Sequence, residues 1–164
     1  MTERKSPEES PDRCISRTSF SGAGFGHETP VSVDAPGNRG AQGAEALARQ
    51  QAKLLAALRG LDADVIGVME AENDGYGQYS AIRQLATRLG PDWRVLDAGT
   101  PALGSDAIAV GLLYNARTAV PAGRAATTWL GERSRQPLAG TFRATAGGAP
   151  VTVVVNHFKS KTCT

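Results

Sequence analysis

The 164-residue chain is poor in cysteine: Cys14 and Cys163 are its only two, and they lie near opposite ends. With neither CxxC spacing nor histidine neighbours they do not compose a zinc site, and they read as free thiols rather than as a supported disulfide. Long apolar runs are missing as well. Nothing approaches the roughly 18 to 20 apolar residues that a membrane-crossing helix needs. The opening residues Met1–Ser10 carry charges with no apolar segment behind them, so they do not read as a secretory signal. An excess of one charge is lacking too. Eighteen Lys and Arg against sixteen Asp and Glu leave a net charge of +2. Such a balance draws in no polyanion over distance, so any affinity for nucleic acid has to come from a local patch.

What is present suits one globular domain with a core, since 41% of residues are hydrophobic and 21% charged. Residues 1 to about 42 are rich in Ser, Gly, Pro and charge and carry no helical or alternating period. The division drawn from this is a poorly ordered leader over 1–37 and a folded portion over 38–164. From Ala44 to Leu58 the residues Leu47, Leu54, Leu55 and Leu58 share a helical face, with Gly60 as the stop. Val65–Met69 is a short continuous apolar run of the kind buried on both faces of a sheet, and it ends in Glu70.

Ser80, placed to start a helix, precedes Ile82, Leu85, Ala86 and Leu89 at helical spacing, and Gly90-Pro91 closes it. Strands are expected over Trp93–Leu96 and Ala107–Tyr114, with a mostly looped segment containing one short strand over 118–135. Leu138–Thr145 and Val151–Phe158 flank Ala146-Gly147-Gly148-Ala149, which reads as a β-hairpin. The succession is α/β, with no competing internal repeat, and Val65–Met69 and Val151–Val155 are expected as strands of one sheet.

Ligands in open α/β sheets gather at strand ends, so ionisable residues there stand out. Glu70 sits at the mouth of the core, where a hard divalent cation would find an oxygen ligand, although a solvated carboxylate opening a loop would look the same. His157, one of two histidines, ends an apolar strand. An imidazole there serves acid–base chemistry or simple hydrogen bonding equally well. His27 lies in the unpatterned leader and reads as incidental. Asp106 suits a turn residue entering a strand. Arg135, Lys159 and Lys161 are cations able to hold phosphate or merely to be solvated.

Four stretches taken together carry more than any one. They are Asp62 through Asn73 (DADVIGVMEAEN), Gly104 through Gly111 (GSDAIAVG), Arg135 through Leu138 (RQPL) and Val154 through Lys161 (VVNHFKSK). In order and spacing they resemble the bacterial extracellular-nuclease branch of the endonuclease/exonuclease/phosphatase superfamily, related to deoxyribonuclease I. The likeness runs from Asn38-Arg39-Gly40-Ala41 to the end of the chain. It implies a portion of a four-layer α/β/β/α sandwich that cuts phosphodiester bonds with Mg²⁺ or Mn²⁺, Ca²⁺ being a further candidate. It also implies a nucleic-acid partner, DNA ahead of RNA, no membrane, and an extracellular location. By the same resemblance Glu70 is a metal ligand and His157 an active-site histidine oriented by Asp106, while Arg135, Asn156 and Lys159 hold the substrate phosphate.

The pattern has departures. Ser19-Phe20 is followed by Ser21-Gly22 where the family carries a metal-binding Asn. The family's Gly-Asp-x-Asn segment and closing Asp-His pair have no counterpart, so the expected chain is the amino-terminal portion of such a domain and inactive alone. A related phosphatase or phospholipid esterase would share Glu70 and His157, and a non-catalytic remnant is the remaining alternative.

Overall fold

The structure is a computed structural model that describes residues 17–19, 43–131 and 134–158. The elements run β1 (Arg17–Ser19), α1 (Gly43–Gly60), β2 (Val65–Glu72), α2 (Ala81–Leu89), β3 (Trp93–Val95), β4 (Ile108–Asn115), β5 (Ala119–Pro121), β6 (Ala126–Thr127), β7 (Leu138–Ala144) and β8 (Val151–Val155). The α/β class read from the sequence holds. β1 falls inside the expected leader. Arg-Thr-Ser has no apolar period to announce it, yet it pairs parallel to β2 with Ser19 opposite Met69. The rest of that leader, Cys14, Cys163 and Lys159 lie outside the described residues. Among the described residues no helix is long and apolar enough to cross a membrane.

The strands form two sheets. The first has the order β1-β2-β4-β3. In the second, β5 and β6 share one edge of β7 and β8 takes the other, so the hairpin expected from the glycine pair is present as β7–β8. The segment over 118–135 supplies two short strands, β5 and β6, rather than one. The sequence treats Val65–Met69 and Val151–Val155 as parts of one sheet. The structure instead lays them face to face in different sheets.

Three layers result. Ile66, Val68 and Leu113 turn to the helices, where Leu58 of α1 and Ile82, Leu85, Ala86 and Leu89 of α2 meet them. Val65, Val110 and Leu112 turn the other way and pack on Leu138, Phe142, Val153 and Val155 of the second sheet. Two glycines make these approaches possible. A Cβ on Gly67 would come within 2.7 Å of Val155 Cγ2, and one on Gly111 within 2.0 Å of Ile82 Cδ1. The far face of the second sheet is uncovered among the described residues, with Val154 53% exposed.

Local chemistry departs from the sequence reading at both helix ends. α1 runs through Gly60, and the chain turns at Asp62, which takes the left-handed conformation at φ 48. Ser80 does not cap α2 with its side chain; its hydroxyl donates to the Gly77 carbonyl. The free N–H of Ala81 donates instead to the carboxylate of Asp74, at 2.9 and 3.2 Å. That puts an anion at the positive end of the helix from seven residues upstream.

Candidate functional site

β2 is not a regular strand. Val68 pairs with Gly111 and Ala71 with Ala109, so Met69 and Glu70 together stand opposite Val110 alone. This is a β-bulge, and Glu70 occupies it with a positive φ of 59. A non-glycine residue there costs on the order of 1 to 2 kcal/mol. The bulge has a directional consequence. Regular alternation would send residue 70 to the helix side with Ile66 and Val68, but the extra residue shifts the phase, and Ala71 takes the helix side instead. Glu70 is released toward the second sheet.

There it meets His157, two residues past the end of β8, with Glu70 Oε1 3.4 Å from His157 Nε2. The imidazole side chain is only 15% exposed, and its Nδ1 is buried with no hydrogen-bond partner among the described residues. An orphaned buried nitrogen is unfavourable by about 1 to 3 kcal/mol, and native structures hold few of them.

Asp106 does not pair with this imidazole. Its Oδ2 lies 3.0 Å from Nε of Arg135 and its Oδ1 faces the N–H of Ile108 at 3.4 Å. The Arg135 Nε–H is not aligned on a carboxylate oxygen, so the contact is an ion pair without a formed hydrogen bond. The sequence expectation joined Asp106 to His157, whereas the structure gives the acid to a guanidinium. The guanidinium carries a permanent charge and strong donors for a carboxylate, which favours it as the partner of Asp106 over an imidazole. Asn156 is partly buried beside His157. Glu70, His157, Asp106 and Arg135 nevertheless gather at one end of the molecule, because β4 starts opposite the end of β2 and β7 starts opposite the end of β8.

Asn73, which the sequence reading did not single out for a role, ties this end together. Its Nδ2 donates to the carbonyls of Leu103, Gly104 and Asp106 at 3.1, 3.4 and 2.9 Å, its Oδ1 accepts from Leu103 N–H at 3.0 Å, and its own backbone N–H donates to Ala107 O. One amide thus fastens the loop carrying Asp106 to the end of β2. Next to it, Tyr76 is pushed up to about 12 by burial and by the Asp97 carboxylate, against a hydrogen bond from the Ala98 backbone. Glu72 is raised by burial and then by Asp74.

A cleft of about 250 Å³ opens beside the ion pair, lined by Ser105, Asp106, Trp129, Ser134, Arg135 and Gln136 among others. Among the described residues no three His, Cys, Asp or Glu side chains cluster as a metal cage would. Among the described residues at this end, the Asp106 carboxylate faces a guanidinium and the Glu70 carboxylate faces an imidazole.

No protein-family model matches the chain, and no curated protein matches it. Among solved structures it resembles a functionally unknown conserved protein from Enterococcus faecalis V583, with a TM-score of 0.49 and 15% sequence identity. The likeness covers 67% of this chain and 44% of that one, so the chain spans less than half of its structural neighbour.

Proposed function

We propose that this chain carries part of the active site of a divalent-metal-dependent phosphodiesterase acting on nucleic acid, DNA ahead of RNA. The observation that carries the reading is the strained bulge in β2 that turns Glu70 away from the helices and against His157. Backbone strain of that kind is retained where a side chain has to be aimed. Support also comes from the four sequence blocks, whose Glu, Asp, Arg and His converge at one end of the two sheets.

Mg²⁺ or Mn²⁺ suits the site in one respect. Mg²⁺ is commonly held through one or two carboxylates, with water and substrate phosphate completing its shell, and Glu70 is such a carboxylate. When bound, the ion would polarise the phosphodiester. His157 would donate a hydrogen bond or a proton at the scissile phosphate through Nε2, and Arg135 and Asn156 would hold phosphate oxygens. The remaining positions on the ion would be filled by water and substrate phosphate. In a four-layer sandwich a second helical layer would cover the face that now exposes Val120 and Val154.

The test is hydrolysis of DNA, RNA and a small phosphomonoester by the chain alone and by the chain completed with a half carrying Gly-Asp-x-Asn and Asp-His segments. The completed protein should cut DNA with Mg²⁺ or Mn²⁺, and His157→Ala should slow it by roughly 10² to 10⁴. Glu70→Gln should remove the metal-dependent rate. A preference for the phosphomonoester would shift the reading to a phosphatase, and DNA cleavage indifferent to both substitutions would overturn it.

A further inference from the structure

Trp129 is the odd residue in the cleft beside Asp106 and Arg135. Its side chain is among the largest in the chain, yet it is 57% exposed, with half-exposed Leu130 following it. Neither belongs to either of the two core clusters. Arg135 lies along the same cleft with its side chain 25% exposed. Asp106 meets Arg135 through Nε, the inner edge of the guanidinium, at 3.0 Å. Among the described residues nothing hydrogen-bonds the two terminal nitrogens, so the outer fork of the guanidinium is free for a bidentate anion.

The remaining lining is polar and small: the Ser105 and Ser134 hydroxyls, and Gln136, whose Oε1 faces the Thr127 hydroxyl at 3.3 Å. At about 250 Å³ the cleft falls just under the size of pockets for small molecules, roughly 300 to 1,000 Å³, which suits one nucleotide unit and not a folded partner.

An exposed indole face, a cation with a free fork and hydrogen-bonding groups for a ring edge are together the chemistry that grips an unstacked base and its phosphate. We propose that this cleft is a subsite for one unpaired nucleotide of a single-stranded nucleic acid, its base stacked on Trp129 and its phosphate held by the outer nitrogens of Arg135. In a duplex interior the base faces are already stacked on their neighbours, so the subsite selects single strands or frayed ends. The inference rests on the phosphodiesterase reading for its substrate class, and it makes that class narrower.

The test uses the whole 164-residue chain with Trp93→Phe, which leaves Trp129 as its one indole. Emission is followed at low salt, with chelator present so that nothing is cut, while an oligothymidylate octamer, the same strand annealed to its complement, or inorganic phosphate is added. The single strand should quench Trp129 to saturation, the duplex should bind at least tenfold more weakly, and phosphate alone should leave the emission unchanged. Followed by anisotropy of a labelled octamer, Trp129→Ala should weaken binding roughly ten- to a hundredfold and Trp129→Phe should restore most of it. Equal affinity for single and double strands, or an octamer affinity that Trp129→Ala leaves unchanged, would overturn the subsite. Cleavage that still depends on Glu70 after either of those results would leave the phosphodiesterase reading standing. Trp129-dependent binding without any Glu70-dependent cleavage would remove that reading and keep the subsite.

Discussion

Glu70 reaches His157 across the gap between two sheets because the bulge at Met69 and Glu70 reverses which face of β2 the carboxylate leaves from. The reversal is held by a left-handed backbone that glutamate adopts at a cost. Glu70→Gly should therefore stabilise the fold by about 0.5 to 1 kcal/mol while removing the site's carboxylate. Chemical denaturation of the two proteins checks this. A glycine variant less stable than the parent would mean that the bulge is not strained.

The amide of Asn73 holds three carbonyl oxygens on one side and an N–H on the other. Asn73→Asp keeps its shape but turns the donor edge into an acceptor facing those carbonyls. It should cost about 1 to 3 kcal/mol, and at neutral pH it should be at least as damaging as Asn73→Ala. Hydrogen exchange at the amides of Leu103 and residue 73 reports the loosening, and unchanged protection in Asn73→Asp would contradict the clamp.

Contact between the first sheet and α2 is set by a missing methyl group. Gly111→Ala would drive its Cβ against Ile82 Cδ1 and should cost about 1 to 3 kcal/mol. Ile82→Val removes that very atom, so the double variant should be more stable than the sum of the single losses allows. Additive losses in a double-mutant cycle would show that the contact is relieved elsewhere.

Tyr76 gives an alkaline signature. Its folded pKa is pushed up to about 12 from the ordinary 10.0 of a tyrosine, so the native state keeps a proton that the unfolded chain releases first. Its contribution is fully present below about pH 10 and is lost as pH rises through about 12. Tyr76→Phe should flatten the fall in stability over that window. An unchanged slope would assign the fall to other groups.

Much of this fold is legible in the sequence, and the illegible parts have physical causes. Apolar periodicity marks α2, and continuous apolar runs mark β2 and β4, because burial leaves few alternatives for Ile66, Val68, Leu112 and Leu113. The same runs carry no label for which sheet a strand joins, so Val65–Met69 and Val151–Val155 read as neighbours although they face each other. β1 has three residues and no apolar signal. Glu70 and His157 stand out by position, but no residue type announces a bulge occupied by glutamate. Asp106 beside His157 is a reasonable expectation from a strand-entry acid, and Arg135 displaces it through a contact between two loops that no local spacing encodes. Trp129 is hidden in an unpatterned segment, where exposure is a fact of three dimensions only.

The pairing of Glu70 with His157 as a metal-dependent site is tested most directly by Mn²⁺ titration of the chain, followed by NMR of its imidazole protons. There are two histidines, so His157→Gln assigns the signals. Mn²⁺ held by Glu70 should broaden the His157 resonances at substoichiometric ion, and Glu70→Gln should leave them sharp. His157 signals that stay sharp in the parent chain, or that broaden equally in Glu70→Gln, would contradict a metal held at Glu70.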